Sequence, residues 1–196
     1  MIPPKLILVK HSLPVIDPEK PAHQWKLSPE GEKRCIPLAQ QVAVYQPQLI
    51  FSSHEPKAIQ TAGILAEKIG LSSLVVDDLH EHERPKPGLL SPQDFEEKVK
   101  AMFSKPENIS FGNESAAQSQ ARFHKAVTNL IAQHPEKTIL VVSHGTVISL
   151  FMQIVCQVEP FPLWKSLDLP SFIVLSLPEY QLEKVVPSIK SDTHRK

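Results

Sequence analysis

The stretch "LILVKHSLP" (residues 6–14) decides how the rest of the chain is read. Leu6, Ile7, Leu8 and Val9 run straight into Lys10, His11 and Ser12, and Pro14 then stops regular structure. A short apolar run containing β-branched residues and closed by a turn signal reads as a buried strand. A lysine and a histidine at the end of such a strand need an explanation, and the other strands supply one.

"PQLIFSS" (47–53), "SSLVVDDL" (72–79) and "KTILVVSHG" (137–145) have the same character. Helical patterns lie between them. "LSPEGEKRCIPLAQQVAVY" (27–45) opens on Ser28 with Pro29 at the first helical position, and Pro37 predicts a kink. "SHEPKAIQTAGILAEKIG" (53–70) carries Ile59, Ala62, Ala66 and Ile69 at helical spacing and ends on Gly70. "TVISLFMQIV" (146–155) is an apolar helix, and "SFIVLSL" with "YQLEKVV" forms a closing hairpin that turns at Pro178 and Glu179. Strands alternating with helices predict an α/β fold: a three-layer α/β/α sandwich with a mostly parallel mixed sheet.

Residues 85–112 interrupt this rhythm. They include a short amphipathic helix, "SPQDFEEKVKAMF", and are read as a small helical cap insertion. "NESAAQSQARFHKAVTNLIAQHP" (113–135) is a long helix. The organisation expected is one α/β domain over residues 1–186 and a polar, mobile tail over 187–196. No internal repeat is found.

Composition narrows the function. Apolar residues make up 41% and charged residues 21%, and the formal net charge is zero, so a nucleic-acid or anionic-membrane partner is not expected. No apolar run approaches the roughly 18 residues of a membrane span, and the N-terminus does not read as a signal peptide. Cys35 and Cys156 lie far apart and read as reduced, which makes a cytoplasmic location the expectation. With only six glycines against nineteen prolines there is no P-loop and no dinucleotide fingerprint, so any phosphate must be held by side chains.

In open α/β sheets ligands bind beyond the carboxyl ends of the strands. Those ends carry Lys10-His11-Ser12, Ser52-Ser53-His54 with Lys57 a turn later, His80-Glu81-His82-Glu83-Arg84, and Ser143-His144-Gly145. Histidines, cations and a carboxylic acid together suit phosphoryl transfer: an imidazole attacks phosphorus, cations neutralise its oxygens, and an acid protonates the leaving oxygen. His80 and His82 raise a metal-site alternative, but no further Asp-His completes such a motif nearby. Trp25 and Trp164 read as core or pocket wall, with core the favoured reading for each.

These pieces, in this order, resemble the histidine phosphatase superfamily, the phosphoglycerate-mutase-like proteins. Lys10-His11-Ser12 stands where that family has Arg-His-Gly. "SSHEPKAIQTA" is similar to its Ser-Ser-Pro-x-x-Arg-Ala-x-Gln-Thr-Ala, with Lys57 at the arginine and His54 at the proline. "LHE" resembles its Leu-x-Glu, "GNES" its Gly-x-Glu-Ser, and "VVSHG" its Ser-His-Gly. The resemblance implies a metal-independent phosphomonoester hydrolase that needs no cofactor. His11 would be the nucleophile that forms a phosphohistidine, Glu81 the general acid with Glu83 as fallback, and His144, Lys10 and Lys57 the phosphate ligands. A small phosphorylated molecule or a phosphoprotein is the implied substrate. Lysine replaces both arginines, keeping charge but losing a planar two-pronged grip, so activity is expected to be weakened or re-specialised. Two alternatives accompany this reading. One is a phosphomutase, disfavoured by the chain's shortness. The other is an inactive relative that binds phosphorylated ligands.

Overall fold

A computed structural model describes residues 3–84 and 90–191. Six strands form one mixed sheet: β1 (Lys5–Lys10), β2 (Leu49–Ser52), β3 (Ser73–Val75), β4 (Ile139–Ser143), β5 (Ser171–Ser176) and β6 (Gln181–Val186), in the order β3-β2-β4-β1-β5-β6. The first four strands run parallel, and β5 and β6 are antiparallel additions on the β1 side.

Side chains alternate across a strand, so a wholly apolar strand must be covered on both faces. Leu6 and Leu8 of β1 join Val141 of β4 on one face, packed against α4 (Ala116–Gln133) and α5 (Gly145–Cys156). Ile7 and Val9 join Leu140 and Val142 on the other, packed against α1 (Pro29–Ala43) and α2 (Pro56–Ile69). These are the three expected layers. A third apolar cluster joins α3 (Pro92–Ser104) to Leu150 of α5, with Phe161 and Trp164 of α6 (Pro160–Ser166) at its margin.

Several expectations are adjusted. Helix α1 does not end at Pro37; the amide that proline lacks would have bonded the carbonyl of Lys33, which lies on the exposed face. β3 spans three residues instead of the longer strand expected, because the chain turns at Asp77 and Asp78, the latter at φ 65°. Helix α6 and a 3₁₀ turn at Ala22–Gln24 have no counterpart in the sequence reading. Trp25 and Trp164 are both only half-buried. Residues 187–191, expected to begin a mobile tail, are docked: Ile189 is 2% exposed, its N–H donates to the Pro170 carbonyl, and Lys190 pairs with Asp168. Part of the expected cap (85–89) and the rest of the tail (192–196) lie outside the described residues. No helix of the described residues is long and apolar enough to cross a membrane.

Candidate active site

The parallel strands β2, β4 and β1 are neighbours and end together. Lys10 pairs with Ser143 in register, the His11 N–H donates to the Ser143 carbonyl (2.9 Å), and the Ser53 N–H donates to the Val142 carbonyl (3.0 Å). His11 and His144 therefore leave adjacent strands at one level. Their rings meet edge to face with centroids 5.0 Å apart.

His11 is 7% exposed. A carbonyl only accepts, so the bond between His11 Nδ1 and the Ser12 carbonyl (2.8 Å) places the proton on Nδ1 and leaves the Nε2 lone pair available. Burial, then His144 and Lys57, push the imidazole well below its ordinary pKa, so it is neutral at physiological pH. Ser12, which replaces the family glycine, turns away from the pocket. Its Oγ donates to the Gly31 carbonyl (2.7 Å), and its N–H donates to Thr61 Oγ1 (3.0 Å). The loop is thereby pinned to α1 and α2. Gly31 is required there, since a Cβ would lie 2.1 Å from the Leu13 carbonyl oxygen.

His144 is fully buried, and burial, then Lys57, likewise push it well below its ordinary value. Its Nε2 lies 2.9 Å from Ser53 Oγ and 3.4 Å from Glu55 Oε1, while Nδ1 has no partner among the described residues.

Each lysine is bonded within the protein. Lys10 Nζ donates to the Leu167 carbonyl (2.7 Å) and lies against Gly145, where an added Cβ would approach it to 3.3 Å. Burial lowers its pKa, with Glu81 opposing. Lys57, 5% exposed, donates to the Ala22 carbonyl (2.7 Å) and to Glu55 Oε2 (2.5 Å).

Glu81 faces this group. Its Oε1 accepts the His82 N–H (2.9 Å) and its Oε2 the Thr146 N–H (3.2 Å), with the Arg84 guanidinium 3.6 Å away. Burial pushes the carboxyl up, but Arg84, then His144, outweigh it and hold it below the ordinary value. Glu83, the fallback acid, is largely exposed and lies 3.7 Å from His80. His54 is exposed and lies near the His80 ring, with centroids 5.0 Å apart. The histidines of "HEH" do not converge: His82 Nε2 donates to the Glu114 carbonyl (2.9 Å). No group of three or more His, Cys, Asp or Glu side chains among the described residues is placed to hold a metal.

Two residues escaped the sequence reading, and a third, Glu114, was read only as part of a motif. Glu55, 3% exposed, sits among Lys57, His144 and the Glu81 N–H, which donates to its Oε1 (2.9 Å). Arg122 of α4 donates to the carbonyls of Asp78, His80 and Glu81 and grips Glu114 with two nitrogens, so it fixes the segment that carries Glu81. Glu114, the acid of "GNES", also accepts the Glu83 N–H (2.9 Å). Arg84 was legible as a charge but not as a contact. Its guanidinium lies over the rings of Phe95 and Phe111 and donates to Thr146 Oγ1 (2.6 Å), linking the α3 region to the acid.

Solved structures share this architecture. A mycobacterial glucosyl-3-phosphoglycerate phosphatase in complex with VO3 superposes with a TM-score of 0.74 at 21% identity, over 94% of this chain and 99% of that one. A phosphoserine phosphatase from Entamoeba histolytica in complex with phosphoserine gives 0.70 at 22% identity, over 95% and 96%. A structure named mycobacterial hydrolase 2 gives 0.78 at 20% identity, over 98% and 94%. These likenesses show the fold. None of the curated proteins compared matches the chain by sequence. The family model described as histidine phosphatase superfamily (branch 1) matches residues 9–186, and the chain belongs to that superfamily.

Proposed function

We propose that the protein is a metal-independent phosphomonoesterase that works through a phosphohistidine at His11 Nε2. The observation that carries this reading is the Nδ1–H bond to Ser12, which leaves the Nε2 lone pair of a neutral, buried imidazole free beside the His144 ring.

In the first step Nε2 attacks phosphorus, an N–P bond forms, and the bond from phosphorus to the ester oxygen breaks. Glu81 gives its proton to the departing oxygen. The arriving phosphoryl dianion raises the Glu81 pKa against the pull of Arg84, which supplies the acid form. In the second step Glu81 takes a proton from water, the water oxygen attacks phosphorus, and the N–P bond breaks to release phosphate. Lys10, Lys57 and His144 hold the non-bridging oxygens. The substrate is a small phosphorylated molecule, selected by the wall that α3 and α6 build beside the site.

A second reading rests on one observation. Lys10 and Lys57 stand where the family carries arginines, so the site keeps positive charge for a phosphorylated ligand but lacks the two-pronged grip that positions a phosphoryl group for transfer. Hydrolysis of p-nitrophenyl phosphate with chelator present separates the two. Turnover in the wild type that falls to background in His11→Ala supports the phosphatase. A folded wild type inactive across a broad panel of phosphomonoesters favours the binder.

A further inference from the structure

We infer that the Glu55 carboxylate is an internal anion that competes with the phosphoryl group for Lys57, and so sets the site's affinity for phosphate. The inference rests on the reading of this pocket as a phosphate site. Glu55 closes the loop after β2 as the residue preceding α2, and its side chain makes no capping bond to that helix. Its side chain turns inward instead. One carboxylate oxygen takes the Lys57 ammonium at 2.5 Å; the other takes the Glu81 N–H at 2.9 Å and lies 3.4 Å from His144 Nε2. An ammonium, a backbone N–H and an imidazole are the kinds of donor a phosphoryl oxygen would use.

Charge supports the assignment. Burial pushes the Glu55 carboxyl up, yet Lys57, the Glu81 N–H and nearby His11 hold it below its ordinary value, so it remains an anion at neutral pH. His11, Lys57 and Glu55 are each less than a tenth exposed, so solvent screens little between them. A phosphate dianion entering beside His11 meets a like charge and finds Lys57 neutralised. To bind, it must detach Lys57 from Glu55 or rely on Lys10 and Arg84. Lysine suits such an exchange, because its single ammonium on a flexible stem can turn from one anion to another where an arginine fork would hold fast.

Glu55→Gln keeps the size and an acceptor for the Glu81 N–H while removing the charge, and Glu55→Ser removes both charge and bulk. Binding of inorganic phosphate and of orthovanadate is measured calorimetrically for each variant, with p-nitrophenyl phosphate turnover run in parallel. Like charges set close together in a desolvated site oppose binding strongly, so affinity is expected to rise at least about tenfold in a folded variant. Adding Lys57→Met should abolish the gain. A residue that merely braced Lys57 and His144 would move affinity the other way. Unchanged or weaker phosphate binding in both folded variants, with His11-dependent turnover intact, overturns the role of Glu55 and leaves the phosphatase standing. A gain that survives Lys57→Met overturns the assignment to Lys57. Tighter phosphate binding without turnover supports the role of Glu55 and overturns the phosphatase. No phosphate binding and no turnover in any form overturns both.

Discussion

Replacing Arg122 by methionine keeps an unbranched aliphatic stem and deletes every donor. Its guanidinium makes five hydrogen bonds: to the carbonyls of Asp78, His80 and Glu81, and to both oxygens of Glu114. The variant therefore strands Glu114 beside His82 with only the Glu83 N–H left to it. Breaking a buried pair by removing one partner destabilises by about 3–5 kcal/mol. Here the partners' side chains are 15% and 12% exposed, so water can reach the orphan, and the lower end applies. A loss of about 3 kcal/mol lowers the melting temperature of a chain this size by roughly 6–12 °C. Urea denaturation followed by circular dichroism reads it directly. Adding Glu114→Gln should return part of the loss, because the stranded charge is gone, and the two effects should be non-additive. An Arg122→Met protein within about 0.5 kcal/mol of wild type, the scatter of ordinary surface changes, would refute the clamp. So would a double variant whose loss equals the sum of the two singles.

Two further outcomes follow from the site. His11 and His144 are both held well below the ordinary histidine value of 6.5, so below that pH the unfolded chain takes up protons that the folded chain refuses. Stability should therefore fall as pH drops from 6.5, with the lowered carboxyls of Glu55 and Glu81 adding to the loss below 4.5, and a urea midpoint that stays flat from pH 7.5 to 5 would contradict this. Gly31→Ala should cost about 1–3 kcal/mol through overpacking against the Leu13 carbonyl and lower turnover by shifting the His11 loop; thermal melting beside the phosphatase assay checks both, and wild-type behaviour in each would show the contact yields freely.

Much of the fold was legible because its signals are local. Continuous apolar runs mark β1, β2 and β4, and Ser28 before Pro29 announces α1 by side-chain capping. The parallel arrangement then brings Lys10, His11, Ser53 and His144 to one edge with no further information. What was missed depends on distance through space. Glu55 at a helix start has the pattern of an ordinary surface acid, and only its inward turn reveals it. Arg122 meets Asp78 and His80 across more than forty positions of sequence, and no local pattern records that. Helix α6 hid in "PFPLWKS", where proline at the first helical position is compatible with a helix but reads in a string as a loop. Ile189 was read with its polar neighbours, although a lone apolar residue in such a segment is a reasonable anchor.

The registry of β1 on β4 also governs how the molecule opens. Both strands lie inside the sheet, with neighbours on either side, and their facing pairs run from Leu6 with Ile139 to Lys10 with Ser143. Amides there should exchange with deuterium only when the whole chain unfolds, whereas α3, tied mainly to α6 and to Leu150 in the middle of α5, can detach in a smaller fluctuation. The wall beside the pocket can thus breathe, or be remodelled over evolutionary time, without altering the spacing of the two imidazoles. The pair of histidines has the longevity of the sheet itself, and the surface that α3 builds beside them has a much shorter one.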